Sequence, residues 1–229
     1  MKQLALDIGL APVPTLEGFF PGPNAAPLQH LKQALIDTSA RAPVPTYLWG
    51  EAGSGKTHLL QAVREALREQ GASVGWRDAK SKYAPPFDEN WAGVLLDDVH
   101  LYTQAQQNVA FNWFINAISP ANGVPRWVIS TGGVPPADLP LREDLCSRLG
   151  WGHVFHLQMP GEAELRAVLR RQAGARGLTL GDDVLDYVLK RFSRDLGSLM
   201  ALLERLDRHA LRTQRALTIP LLKDMLDSE

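Results

Sequence analysis

The spacing of apolar positions along the chain changes near residue 160. Before that point, short apolar runs alternate with stretches of helical spacing, as over residues 59–67 and 109–118. Strands that alternate with amphipathic helices are typical of a parallel sheet covered on both faces. Five apolar runs predict the strands of this α/β unit, at residues 47–49, 73–76, 94–96, 127–129 and 154–157.

Beyond Pro160 the strand pattern ends and only helical spacing remains. Apolar residues three and four apart predict four helices, and each helix has one apolar face. We therefore predict an α/β base over residues 15–160 and an all-helical domain over residues 161–229. The four predicted helices lie around residues 165–169, 184–192, 196–206 and 221–226.

The first fourteen residues have a pattern of their own. Leu4, Leu6 and Ile8 alternate with less apolar residues as in a strand, but Pro12 and Pro14 interrupt the run. The residues alone leave two interpretations open: an edge strand of the sheet, or a peptide that docks in a groove of another protein. The segment lacks the continuous apolar region of a signal peptide.

Composition narrows the class of protein. Hydrophobic residues make up 45% of the 229, which is enough for a sizeable core. A formal net charge of −1 argues against a general nucleic-acid binder. The single cysteine, Cys146, cannot form an internal disulfide, and no apolar run has membrane-spanning length. We therefore expect a cytoplasmic protein without a membrane partner.

The strongest motif is GEAGSGKT, which matches the phosphate-binding pattern G-x-x-x-x-G-K-[ST] between a predicted strand and a predicted helix. Its glycines let backbone amides turn toward phosphate oxygens, and the new helix presents its N-terminus to the anion. A chance match of a glycine-rich turn is the alternative. The motif predicts that Lys56 reaches the β and γ phosphates and that Thr57 holds Mg²⁺. The predicted nucleotide contacts are Gly50, Gly53, Ser54, Gly55, Lys56, Thr57 and His58.

Two further motifs follow predicted strands. In VLLDDVH, Asp97 is predicted to hold the metal through water, and Asp98 to orient an attacking water with a side chain shorter than glutamate. In WVIST, Ser130 or Thr131 is expected near the γ phosphate. The alternatives are an exposed turn after a buried strand for the aspartates and an ordinary strand-end hydroxyl for Ser130 or Thr131.

A fourth motif, REDLCSRLGWG, places Arg148 after a short predicted helix and before a turn. Arg148 is either a solvated surface residue or a finger that enters a neighbour's nucleotide site. In that site a planar guanidinium would stabilise the charge of the transition state.

In this order the motifs resemble those of the AAA+ ATPases, and within them the DnaA initiator family. TLEGFFPGPN resembles the family's segment around the adenine, and GEAGSGKTHLLQAV, LLDDVH and SRLGWG resemble its P-loop, second motif and arginine-finger motif. The resemblance implies a P-loop NTPase with an αβα parallel-sheet base and a C-terminal helical lid. It also implies that ADP or ATP binds with Mg²⁺.

The chain also resembles the short Hda-type regulators, which lack the initiator's DNA-binding domain and turn DnaA off after replication starts. That resemblance implies a negative regulator that docks on the DNA-loaded sliding clamp, the β subunit of DNA polymerase III. It implies that Arg148 stimulates ATP hydrolysis by DnaA, without direct sequence-specific DNA binding and with a possible homo-oligomer. The alternatives are an autonomous ATPase of the helicase-loader type, which would not need the N-terminal peptide, and a DnaA-like DNA binder.

This resemblance implies that segment 1–14 is a clamp-binding peptide and tether, with Gln3, Leu4 and Leu6 as the binding residues. The chain departs from the family at two sensor positions, where Gly133 replaces an acidic residue and Gly197 aligns with an arginine. Arg194 lies one turn earlier and is the candidate substitute. We therefore expect weak or partner-dependent ATPase activity.

Overall fold

The computed structural model describes residues 13–37, 44–121, 123–192 and 196–227. The chain divides into two compact units between Gln158 and Met159. Among the described residues, the first unit holds every strand and the second is helical.

The first unit is built on a five-stranded sheet in the order β2-β3-β4-β1-β5, and every strand pair is parallel. All five predicted strands are present, which confirms the α/β prediction. The strands are β1 (Thr46–Trp49), β2 (Ser73–Arg77), β3 (Trp91–Leu96), β4 (Trp127–Gly132) and β5 (His153–His156).

Four helices cover the sheet, and two separate apolar cores form. The core that contains helices α1 (Ala25–Ile36) and α2 (Lys56–Glu69) packs against residues such as Leu48 and Ile129. The other core contains α3 (Gln104–Ile118) and α4 (Glu143–Leu149). Strand residues alternate between the two cores because successive side chains of a strand point to opposite faces.

Strand order decides where the motifs meet. Strand β4 lies between β1 and β3, so the carboxyl ends of these three strands share one edge of the sheet. Gly50 follows β1, Asp97 follows β3 and Thr131 lies in β4. The edge where parallel strands end is where ligands bind in such sheets.

A buried asparagine fixes the start of α1. The Asn24 side chain donates from Nδ2 to the carbonyl oxygen of Gln158 (2.9 Å) and accepts from the Gln158 amide (2.8 Å). Both bonds are shielded, since Asn24 is only 2% exposed. This pair joins two parts of the chain 134 residues apart and holds the segment before α1 against the end of β5.

The second unit contains four helices, α5 (Glu162–Ala175), α6 (Asp182–Arg191), α7 (Leu196–Thr213) and α8 (Ile219–Asp227). Their apolar faces form one core of leucines and valines, including Leu165, Leu185 and Leu206. Arg166 bonds to Asp186 of α6 and to Glu162 (3.1 Å), which adds little stability because both carboxylates are exposed to solvent. The helical prediction is confirmed. None of the helices in the described ranges is long and apolar enough to cross a bilayer.

We expect acid to destabilise the first unit through His30. The His30 Nε2 shares a hydrogen bond with the Thr46 hydroxyl (2.9 Å), and its ring centroid lies 4.5 Å from that of His153. Burial lowers the pKa of His30, and the nearby His153 lowers it further. The folded chain therefore resists protonation at His30, whereas the unfolded chain takes up a proton as the pH falls through about 6.5. Stability should be unaffected at alkaline pH and fall below about pH 6.5.

His30→Gln separates this effect from the titration of other groups. Glutamine keeps a donor for the Thr46 hydroxyl but does not titrate. The free energy of unfolding, measured by urea denaturation from pH 8 to pH 5, should fall less steeply in the variant than in the parent. Parallel curves for the two proteins would show that His30 does not contribute to the acid sensitivity.

Candidate functional site

The loop between β1 and α2 follows a path that only glycine allows at its first position. Gly50, Gly53 and Gly55 have φ angles of 156°, 84° and 96°. A Cβ atom at Gly50 would overlap the carbonyl oxygen of Leu157. The loop therefore lies close against the end of β5 and leads into the N-terminus of α2, where free backbone amides favour an anion.

Lys56 is the first residue of α2 and its side chain turns back over the loop. Its Nζ donates to the carbonyl oxygens of Gly50 and Glu51, both at 2.8 Å, and the residue is only 6% exposed. Burial lowers the pKa of Lys56, while the charges of Asp98 and Asp97 act in the opposite direction. An ammonium group is thus held within the loop that the sequence predicts to bind phosphate.

A hydrogen-bonded cluster joins three of the predicted site residues. The Thr57 hydroxyl donates to Asp97 Oδ2 (2.9 Å), and the Thr131 hydroxyl donates to Asp97 Oδ1 (2.6 Å). Burial raises the pKa of Asp97, and the bond from Thr131 and then that from Thr57 oppose the rise. The P-loop threonine, the second motif and β4 therefore form one unit at the edge of the sheet.

Thr131 and Asp98 are linked through the backbone. The Asp98 amide donates to the Thr131 hydroxyl (2.8 Å), so that this hydroxyl both donates and accepts. Asp98 has a φ of 50°, in the left-handed region that few non-glycine residues adopt. Thr131 therefore orients the two aspartates as well as lying beside them. The neighbouring Ser130 hydroxyl is buried without a hydrogen-bond partner among the described residues.

The segment before α1 packs on the start of α2. The His58 Nε2 shares a hydrogen bond with the Thr15 carbonyl oxygen (3.2 Å), and the His58 ring lies 5.8 Å from that of Phe19. Burial lowers the pKa of His58, and its bond to Thr15 opposes this. The Phe19 ring also lies where a Cβ atom on Gly55 would be. The sequence identifies the segment TLEGFF as part of the site but does not identify Phe19 as the contacting residue.

Arg148 lies in the last turn of α4, and no hydrogen bond or ion pair among the described residues joins it to the P-loop. Its guanidinium carbon lies 5.3 Å from the centre of the Phe111 ring. The structure thus brings together the P-loop, the two aspartates and Thr131, and leaves Arg148 separate from them.

The donor set at this edge fits a phosphate chain with a magnesium ion. Lys56 supplies a cation, and the Ser54 hydroxyl is buried without a partner in the described part of the chain. The Thr57 hydroxyl and the Asp97 carboxylate lie side by side and offer the oxygen ligands that Mg²⁺ prefers, directly or through water. Phosphate oxygens supply further ligands in sites of this type.

Four predicted site residues, Arg194, Gln3, Leu4 and Leu6, lie outside the described residues. Gly197, predicted to stand in place of a sensor arginine, lies in the first turn of α7. The amide of Gly133, the other predicted departure, donates to His100 Nδ1 (3.1 Å).

Two family models match separate parts of the chain. The model of the bacterial DnaA ATPase domain matches residues 10–84, which include the P-loop and the segment that contains Phe19. The model of the Hda lid domain matches residues 162–226, which form the helical unit.

Solved structures share the fold at low sequence identity. The crystal structure of domain III of DnaA from Thermotoga maritima aligns with a TM-score of 0.76 and 20% identity over 95% of this chain and 97% of that one. AMPPCP-bound DnaA from Aquifex aeolicus aligns with a TM-score of 0.69 and 21% identity over 90% of this chain and 69% of that one. A RuvB mutant from Thermotoga maritima aligns with a TM-score of 0.67 and 16% identity over 94% of this chain and 72% of that one.

Proposed function

Because the chain is a Hda/DnaA-like AAA+ protein, we propose that it is a negative regulator of replication initiation that binds an adenine nucleotide. Residues 15–160 are the nucleotide-binding base in this proposal, and residues 161–229 are the lid. The observation that carries the proposal is the cluster of Thr57, Asp97 and Thr131 beside the buried Lys56, on a chain that matches a Hda lid model.

ADP or ATP is the proposed nucleotide, as in the AMPPCP-bound relative. Lys56 and the backbone of Gly50, Gly53, Ser54 and Gly55 would bind the phosphates. Thr57 and Asp97 would hold Mg²⁺, which neutralises phosphate charge when bound.

The remaining residues of the site are proposed to support hydrolysis or to position the loop. Asp98 is proposed to orient water, Thr131 to position the aspartates near the γ phosphate, and His58 to support the loop. Arg194 is the proposed substitute for the missing sensor arginine. Because the sensor positions differ from the family pattern, the chain's own ATPase activity is proposed to be weak or partner-dependent.

The proposed partners are DnaA and the sliding clamp of DNA polymerase III, in the cytoplasm. Arg148 would enter the nucleotide site of DnaA and stabilise the charge that develops during hydrolysis. The N-terminal peptide would hold the chain on the clamp. Homo-oligomers are compatible with the proposal, which does not require direct sequence-specific DNA binding.

The test is ATP hydrolysis by DnaA, measured with the full chain and with or without clamp loaded on DNA. The proposal expects faster hydrolysis only when the loaded clamp is present. Unchanged DnaA hydrolysis under both conditions would contradict it. Rapid hydrolysis of ATP by the chain alone, unaffected by DnaA and clamp, would instead support an autonomous ATPase of the helicase-loader type.

We expect the triple variant Gln3→Ala, Leu4→Ala and Leu6→Ala to lose clamp binding and keep its stability. A glutamine amide can satisfy polar groups at a pocket rim, and leucines can fill apolar depressions. Clamp affinity is measured by surface plasmon resonance, and stability and ADP affinity by thermal melting and calorimetry. Val13→Ala truncates an exposed apolar residue next to the peptide and should keep clamp binding.

The edge-strand interpretation predicts the opposite pattern. If the leucines filled the core, each Leu→Ala change would lower the free energy of unfolding by about 2–5 kcal/mol. A large drop in melting temperature would then accompany the loss of clamp binding. That result would rule out a separate clamp-binding peptide.

A further inference from the structure

The Arg148 side chain is held by an aromatic ring and by no carboxylate among the described residues. Its guanidinium carbon lies 5.3 Å from the centre of the Phe111 ring of α3, within the range of a cation–π contact. Its Nε atom is buried and has no hydrogen-bond partner in the described part of the chain. An ion pair would have neutralised the guanidinium, whereas the ring orients it and leaves its charge uncompensated.

Packing against the core fixes the position of the Phe111 ring. The residue is partly buried, and its ring packs against the core formed by α3 and α4. It therefore presents one face at a fixed position relative to α4, the helix that carries Arg148. A rigid platform removes conformational freedom from a long arginine side chain before any partner binds.

Arg142 contacts the same ring, but its guanidinium group is also hydrogen-bonded to two polar side chains. Its guanidinium carbon lies 4.5 Å from the centre of the Phe111 ring. Its Nε and Nη2 donate to the two carboxylate oxygens of Asp144 (2.6 and 2.8 Å), and its Nη1 donates to Asn108 (2.8 Å). Of the two arginines on this ring, only Arg148 has no polar side-chain partner among the described residues.

We infer that Phe111 is a positioning residue, whose ring holds the Arg148 guanidinium in the orientation from which it enters a nucleotide site on a second protein. The inference rests on the proposed function of Arg148. It assigns to α3 a role in hydrolysis that its sequence did not indicate. Phe111 itself touches no substrate in this arrangement.

A double-mutant cycle tests whether Phe111 acts through Arg148. Phe111→Leu keeps an apolar side chain and removes the flat face, and Phe111→Tyr keeps that face. With clamp loaded on DNA, Phe111→Leu should lower the maximal rate of DnaA-catalysed ATP hydrolysis about two- to thirtyfold, the effect expected of a lost cation–π contact. The concentration for half-maximal stimulation should stay unchanged, and Phe111→Tyr should restore the rate. In an Arg148→Ala background, Phe111→Leu should cause no further loss.

A second measurement is independent of DnaA. The NMR order parameter of the Arg148 Nε–H bond should fall in Phe111→Leu and recover in Phe111→Tyr. The same bond in Arg142 is the internal control, since its pairing with Asp144 and Asn108 should keep it ordered in every variant.

Three outcomes would overturn the inference: unchanged rates in Phe111→Leu, an equal loss of rate in the Arg148→Ala background, or an unchanged Arg148 order parameter. A rise only in the concentration for half-maximal stimulation would show that Phe111 serves docking, which also overturns it. If the parent does not stimulate DnaA, the proposed function fails, and the order parameters still decide whether the ring positions Arg148.

Discussion

Lys56→Ala should lower the affinity for ADP and for ATP by about 100-fold or more. The variant removes the only ammonium group held within the loop, where it bonds to two backbone carbonyls at 2.8 Å. Hydrogen bonds to charged groups contribute about 1.5–3 kcal/mol each, and one such bond corresponds to a factor of about 10–150 in affinity. Isothermal titration calorimetry with each nucleotide, in the presence of Mg²⁺, measures the loss.

Two further variants separate binding from folding. Lys56→Met keeps the buried aliphatic stem and should lose affinity to the same degree as Lys56→Ala. Lys80→Ala removes one exposed lysine from the same unit and should bind like the parent. Equal nucleotide affinities in Lys56→Met and the parent would show that this loop is not a phosphate-binding site.

Arg148→Ala should remove nearly all stimulation of DnaA and leave a small residual rate, while the chain still binds nucleotide and clamp. Arginine fingers supplied in trans accelerate GTP hydrolysis by about 10³–10⁵-fold in GTPases, so the expected loss is large. The Arg148 side chain has no hydrogen bond or ion pair among the described residues, so its truncation should leave the thermal melt nearly unchanged. Hydrolysis of ATP by DnaA on the DNA-loaded clamp is the measurement.

Arg148→Lys provides a sharper comparison than alanine alone. Lysine keeps the positive charge but lacks the planar fork that can contact two phosphate oxygens at once, so it should restore only a small part of the rate. Arg68→Ala removes an exposed arginine from α2 and should stimulate DnaA like the parent. Full stimulation by Arg148→Ala would leave Arg148 as an ordinary surface residue.

The strands, the helices of the second unit and the glycine-rich loop after β1 were predictable because their signals are local. A buried parallel strand needs a short apolar run, and a lid helix needs one apolar face at helical spacing. The loop after β1 needs glycines at fixed positions within eight residues, such as Gly50 at a φ of 156°. Each of these patterns is complete within one short stretch of sequence.

Tertiary structure alone decided how the separate motifs combine. The strand order β2-β3-β4-β1-β5 placed Asp97 between Thr57 and Thr131, which are 40 and 34 residues away along the chain. Tertiary packing also brings Asn24 to Gln158 and places the ring of Phe111 beside Arg148. Such contacts depend on which strands are neighbours and on how helices pack over them. No spacing within a single stretch of sequence specifies that arrangement, because each local pattern is compatible with several strand orders.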